Sequence, residues 1–286
     1  MAESQRFVDL GKPRRIWAVG AIHAEADRLR GVHAALAARF CVGDRIVYLG
    51  NMIGRGAAVI ETIDELLAFR RLALAARGAC VDDVVYLRGG QEEMWRSLLQ
   101  LQFAPNPAEV LDWMLGQGVA ATLAAYGGDP AQGFAAARGG AVSLTRWTQG
   151  LRAAFYARPG HEQLFSALRR AAHVGQPHDA RANGGEAAPL GAARPLSGPL
   201  FVCAGVDPSR PFALQGDRFW WGAAGFARME APFSGFARVV RGYDPGKGGA
   251  AAGDFHATLD GGCGFGGALV CAGFDSAGQL IDSFQV

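Results

Sequence analysis

Arg45-Ile-Val-Tyr-Leu-Gly-Asn-Met-Ile-Gly-Arg-Gly56 is the stretch on which the reading of this 286-residue chain turns. Residues 46–49 form a short, unbroken apolar run rich in β-branched and aromatic side chains, and it stops at Gly50, which is the pattern of a buried parallel strand. The next residues bring Gly50, Gly54 and Gly56 together with the polar Asn51 and the cationic Arg55, and from Ala57 a helical pattern begins. A strand that runs through a glycine loop into a helix places that loop at the carboxyl end of a sheet, where α/β proteins bind ligands.

The same design occurs twice more. Residues 16–19 lead into Gly20-Ala21-Ile22-His23-Ala24-Glu25 and a helix, and residues 84–87 lead into Arg88-Gly89-Gly90-Gln91-Glu92-Glu93 and another. Residues 24–38 set Leu29, Val32 and Leu36 on one face, and residues 57–76 do the same with Val59, Ile63, Leu66 and Leu67. Right-handed crossovers then give a βαβαβ half whose three loops converge on one sheet edge.

Composition bounds the rest. The hydrophobic share is 50% and the charged share 19%, as in a soluble globular chain long enough to bury a full core. A net charge of +2, without a long basic run, implies no nucleic-acid partner. The first twenty residues hold no apolar signal core, and no later run is long enough to cross a membrane, so no membrane partner and a cytoplasmic location are expected. The five cysteines (41, 80, 203, 263 and 271) are scattered, which fits reduced thiols.

Beyond the third strand, residues 92–103 continue as helix until Pro105 and Pro107, residues 108–126 carry a Trp113 and leucine stripe that reads as core, and residues 161–173 read as one more helix. Residues 175–199 are poor in apolar side chains and rich in Gly, Ala and Pro, the composition of an exposed loop in which His178 is solvated. From residue 200 the character is β: 200–203, 236–240, 255–259, 267–271 and 279–285 are short runs between glycine turns, predicting a second sheet packed face to face with the first.

The three loops resemble those of the calcineurin-like metallophosphoesterases, in the branch of phosphoprotein phosphatases and bacterial diadenosine-tetraphosphate hydrolases. That family reads Gly-Asp-x-His-Gly, Gly-Asp-x-x-Asp-Arg-Gly and Arg-Gly-Asn-His-Glu at the corresponding strand ends. Later segments match in the same order: Cys203-Ala-Gly-Val-Asp-Pro-Ser-Arg-Pro211 is similar to its His-Ala-Gly segment, Val239-Val-Arg-Gly-Tyr-Asp-Pro245 to its Gly-His-Thr-Pro, and residues 259–267 to its Asp-Thr-Gly segment. The resemblance implies a single domain over residues 14–286, a four-layer αββα sandwich of two mixed sheets flanked by helices. A helical cap is inserted at about residues 95–173 and a loop at about 175–199.

It also implies two divalent metals, such as manganese or iron and zinc, that generate a hydroxide and neutralise phosphoryl oxygens. Carried over position by position, the ligand set is depleted. The first Asp is Ala21, the following His is kept as His23, and the bridging Asp is Asn51. The third-motif Asn is Gly90, the fourth-motif His is Cys203 and the fifth-motif His is Tyr243. The family's general acid is Gln91 here, and the Asp that orients it is Gly54. Without acidic ligands a pair of dications is not compensated, so neither metal nor other cofactor is expected.

Arg55 matches the family's phosphate-binding Arg, Arg88 with Glu92 keeps the third frame, the second gripping Arg is absent from Trp221-Gly-Ala223, and Arg241 is new. These residues predict an anion pocket of Arg55, Arg88 and Arg241 with His23, Asn51 and Gln91 as hydrogen-bonding groups. Three readings stay open. The chain is a decayed phosphatase that binds a phosphorylated small molecule or protein, through this cleft or through the Trp220-Trp221 and loop surfaces. It is a working phosphoesterase with an altered or mononuclear site around His23, Asn51 and Cys203. Or it is a scaffold in which Arg55 pairs with a carboxylate, Arg88 holds Glu92, Arg241 points to solvent and Cys203 is an inert buried thiol.

Overall fold

A computed structural model describes residues 7–75, 79–177 and 196–286 of the chain. His178 and most of the loop read at 175–199 lie outside the described residues. The first half follows the expected alternation: β1 (Phe7–Asp9), β2 (Ile16–Val19), α1 (Ala26–Ala37), β3 (Arg45–Tyr48), α2 (Val59–Leu74), β4 (Val84–Tyr86) and α3 (Gly90–Leu98). The cap follows as α4 (Pro107–Met114), a π-helical turn Leu115–Val119, α5 (Ala120–Ala125), α6 (Pro130–Arg138), α7 (Ala141–Tyr156) and α8 (His161–Ser166). The remainder is β5 (Ala171–His173), β6 (Ser197–Val202), α9 (Arg218–Trp221), β7 (Phe236–Arg241), β8 (Ala251–Ala252), β9 (His256–Thr258), β10 (Val270–Phe274) and β11 (Leu280–Gln285).

Two mixed sheets result. One runs β11-β10-β2-β3-β4, and the other β1-β5-β6-β7-β9-β8. β2, β3 and β4 are parallel neighbours, as the crossover helices require. The sandwich is four layers deep. Ile16, Ala18, Val47 and Val85 of the first sheet meet Phe201, Val240 and Ala257 of the second. The outer face of the first sheet packs on α1, α2 and the cap through Trp17, Tyr48, Leu29 and Ile63. The outer face of the second is covered by Phe219, Trp220, Phe226 and Phe233. Alternation along each strand produces these layers, since successive side chains point to opposite sheet faces.

The structure departs from the sequence reading in three places. Residues 161–173 are not one helix: α8 ends at Ser166, and Ala171–His173 is a strand held between β1 and β6. Small side chains allow either state locally, and the sheet on both sides decides it. β1 lies ahead of the expected boundary at residue 14 and pairs with β5 in the second sheet. β10 and β11 also change places: β10 pairs with β2, so both close the first sheet instead of extending the second. Among the described residues no helix is long and apolar enough to cross a membrane.

Candidate functional site

Glu92 organises the sheet edge. Its carboxylate is 1% exposed and accepts hydrogen bonds from the amides of Asn51 (2.9 Å), Met52 (2.7 Å), Ile53 (3.3 Å) and Gly89 (2.8 Å). Burial pushes its pKa up and the four amides oppose that shift. One side chain on the third loop thereby sets the path of the second. The first loop is tied to the same place, because the amides of Ile22 and His23 both donate to the Asn51 carbonyl. The Ala21 amide donates to the Gly242 carbonyl, and the amides of Gly242 and Tyr243 donate to the Cys203 carbonyl. The predicted positions Ala21, His23, Asn51, Cys203 and Tyr243 are thus gathered at one edge.

The side chains at this edge are already engaged. Asn51, at φ 50°, accepts the Gln91 amide on Oδ1, and the Gln91 side chain donates to the carbonyl of Gln117 in the cap. A Cβ on Gly54 would lie 2.0 Å from Gln91 Oε1, so Gln91 fills the space a longer residue at position 54 would need. A Cβ on Gly90 would lie 2.8 Å from the Trp221 indole, whose ring meets Trp113 of the cap edge to face at 6.0 Å. Cys203 is fully buried, and burial holds its thiol well above the ordinary range.

Among the described residues Gln91 Oε1 is buried without a partner, and His23 is less engaged still. The histidine is 1% exposed, stands at φ 52°, and among the described residues neither ring nitrogen makes a well-formed hydrogen bond, although the Ile53 backbone lies against the ring. Tyr243 and Phe265 meet its ring edge to face at 5.5 and 5.7 Å. Burial, reinforced by the Arg55 guanidinium, pushes its pKa down to about 3, and the nearby Ile53 backbone only partly offsets this. The imidazole is therefore neutral. Burial pushes the Tyr243 hydroxyl up, and Arg55 works against that shift.

The three arginines do not converge. Arg88 pairs with Glu93 at 3.3 Å and lies near the Trp220 ring, while Glu92, its expected partner, is taken by backbone amides. Arg241 is 6% exposed, donates to Thr258, pairs with Asp244 at 2.9 Å and stacks on Phe226 beneath the second sheet. Residue 241 shares its strand face with Val239, away from the interior between the sheets. Only Arg55 keeps its charge at the cleft. Its guanidinium lies 4.2 Å from the Phe265 centroid, its Nε is buried without a partner, and among the described residues no carboxylate lies within 4.0 Å.

Lys247 supplies a second cation that the sequence reading passed over. Its ammonium is 5.2 Å from the same ring. Tyr243, Lys247, Gly249, Asp260, Gly261, Gly262 and Phe265 line a cleft of about 330 Å³. Asp260, the carboxylate in this wall, accepts the amides of Asp244 and Gly262. A larger cavity of about 810 Å³ lies elsewhere, between residues 207–211 and 224–234. Size does not mark the site, because that cavity holds neither a buried unpartnered group nor any of the converging loops. Lys247 and Phe265 follow the fifth-motif Tyr243 and the glycine-rich segment at 259–267, and the glycines signalled a close approach there without naming the aromatic.

The residues present do not fit the metal pair that the fold implies. Among the described residues no three His, Cys, Asp or Glu side chains are grouped to hold an ion. The nearby carboxylates of Glu92 and Asp260 are bound by backbone amides, and among the described residues His23 is the one imidazole beside them.

No family model and no curated protein matches the chain. Solved structures do. A crystal structure described as that of a candidate diadenosine tetraphosphatase matches 98% of this chain and 97% of that one, at 16% identity and a TM-score of 0.54. A cold-active protein-tyrosine phosphatase from a psychrophilic Shewanella species matches 100% of this chain and 84% of that one, at 10% identity and a TM-score of 0.52. A protein serine/threonine phosphatase from Saccharomyces cerevisiae matches 98% and 84%, at 12% identity and a TM-score of 0.50. The chain has the calcineurin-like metallophosphoesterase fold. The likeness runs through nearly its whole length, so the cap and both sheets are part of it.

Proposed function

We propose that the chain is a catalytically decayed metallophosphoesterase, a pseudophosphatase that acts by binding. Its former catalytic cleft takes a phosphate-type anion, free or carried on a small molecule or protein, without metal. One observation carries this reading: Arg55, which among the described residues has no carboxylate within 4.0 Å, stands beside a buried histidine whose ring nitrogens make no well-formed hydrogen bond. Arg55 and Lys247 supply positive charge from either loop, and Phe265 holds both cations without neutralising them. A phosphate can meet neutral His23 at one ring nitrogen, accepting from the imidazole N–H, or as hydrogen phosphate donating its proton to the lone pair. Asn51 and Gln91 brace the loops through their existing partners, while Arg88 and Arg241 are engaged by Glu93 and Asp244.

The test joins two measurements. Metal analysis of purified protein, with p-nitrophenyl phosphate turnover in added manganese, is expected to give neither stoichiometric metal nor activity. Calorimetry with inorganic phosphate is expected to give heat that Arg55→Ala and Lys247→Ala each remove. Stoichiometric metal with turnover lost in His23→Ala returns the chain to the enzymes with altered sites, and absence of heat at millimolar phosphate removes the anion site.

A further inference from the structure

We propose that the cleft selects oxyanions that still carry a proton, taking a phosphate with its P–OH and refusing sulfate, and that Asp260 is the residue that reads the proton. The selection rests on the anion reading above and narrows its ligand class. Hydrogen phosphate and sulfate are both tetrahedral dianions of similar size, and they differ by one O–H. Charge alone does not separate them. A hydrogen-bond acceptor set against the anion does, because it gains a bond from the O–H and opposes a bare oxygen.

The charge at the cleft is mixed in the way this requires. Arg55 and Lys247 flank the Phe265 ring at 4.2 and 5.2 Å. Asp260 lines the same cleft as Tyr243, Lys247 and Phe265, and is 8% exposed. Its Oδ2 accepts the Asp244 amide at 2.8 Å and its Oδ1 the Gly262 amide at 2.9 Å. A carboxylate has about four lone-pair positions and no donor, so acceptor capacity remains beside the two amides. Arg241, on the neighbouring strand, is held by Asp244 at 2.9 Å. Burial raises the pKa of the Tyr243 hydroxyl, Arg55 lowers it and Asp260 adds to the rise, so the cation and the carboxylate both act on one phenol in the cleft wall. Arg55, Lys247 and Asp260 together leave one net positive charge. That suits a monoanion, or a dianion whose proton is shared with the carboxylate.

Further acceptors stand behind Arg55. Gln91, 5% exposed, commits its Nε2 to the Gln117 carbonyl at 2.8 Å and keeps Oε1 buried without a partner. A Cβ on Gly118 would lie 2.6 Å from Arg55 Cγ and 3.5 Å from Gln91 Nε2, which sets the two side chains against the same turn of the cap. Neutral His23 adds a ring nitrogen with a lone pair. A site shaped for a bare dianion would present donors alone.

Calorimetry of the full chain at neutral pH compares inorganic phosphate, arsenate and sulfate at equal ionic strength. Phosphate and arsenate, which protonate alike, are expected to bind alike, and sulfate to bind about tenfold more weakly or worse. Asp260→Asn offers an amide N–H to a bare oxygen and is expected to bring sulfate within about twofold of phosphate. Circular dichroism shows whether this variant folds, since Asp260 also holds two loop amides; where it does not, the wild-type ratio of phosphate to sulfate decides alone. With phosphate bound and sulfate refused, methyl phosphate near about pH 6, where an ester keeps its proton on part of the molecules, separates the sources: heat assigns the cleft to esterified ligands, and its absence to free phosphate. Sulfate bound as tightly as phosphate, or a preference unchanged in folded Asp260→Asn, overturns the proposal and leaves the anion site standing. No heat from any of the oxyanions removes the anion site itself.

Discussion

Replacing His23 by leucine should remove a specific part of the protein's sensitivity to acid. In the folded chain the imidazole pKa is pushed down to about 3, against 6.5 in the unfolded chain. The unfolded state therefore binds the proton first, and stability falls as pH drops below about 6.5, continuing until about 3. Linkage over this window gives a loss of about 2 kcal/mol between pH 7 and pH 5, close to the limiting 1.36 kcal/mol per unit at its lower end. Urea unfolding at pH 7, 6 and 5 measures it. The wild type carries further histidines lowered by burial, His33, His161, His173 and His256, so the informative quantity is the difference in slope between the two proteins. The leucine variant should lose about 2 kcal/mol less over the two units. Equal slopes would mean that the imidazole is solvated or partnered in solution, and the description of His23 as a dry, neutral group would fail. Removing two unsatisfied nitrogens should also offset the cost of a branched side chain at φ 52°.

Other consequences can be measured directly. Glu92→Ala leaves four loop amides without their acceptor and should lower stability by about 3 kcal/mol or more in chemical denaturation; a loss below about 1 kcal/mol would show that water replaces the carboxylate. Gly54→Ala combines φ 81° with a collision against Gln91, and should cost about 1–3 kcal/mol. Adding Gln91→Ala should recover about 1 kcal/mol of that in a double-mutant cycle, whereas strict additivity would show the two positions to be independent. Iodoacetamide should label the exposed Cys41 and Cys80 in the folded protein and spare Cys203, Cys263 and Cys271. Burial holds these last three thiols up, Cys263 at about 12, and early modification of Cys203 in a mass-spectrometric time course would contradict it.

The half of the chain with strong local patterning was legible before any coordinates. Strand runs at 16–19, 46–49 and 84–87, each followed by glycines and a helix, determine β2, β3 and β4 and the sheet edge where their loops meet. Assignments resting on which sheet a strand joins were not legible. Nothing local to residues 171–173 or 270–274 distinguishes one sheet from the other, and only their partners do. The site divides in the same way. The absence of acidic side chains where the resemblance places them is a matter of identity, visible at Ala21 and Asn51. The destinations of Arg88 and Arg241 depend on Glu93 and Asp244, which lie only five and three residues away, yet nothing in the spacing ranks those carboxylates above solvent or an anion. Lys247 and Phe265 come from two segments brought together by tertiary structure, and no motif joined them.

The interlocking of Gln91 with Gly54, and of Trp221 with Gly90, couples residue choice across the loops of this edge. An acidic residue at position 54 or an amide at position 90 meets a side chain already in its place, so either single substitution loses stability unless its neighbour is shortened with it. Any redesign of this edge has to change such residues two at a time.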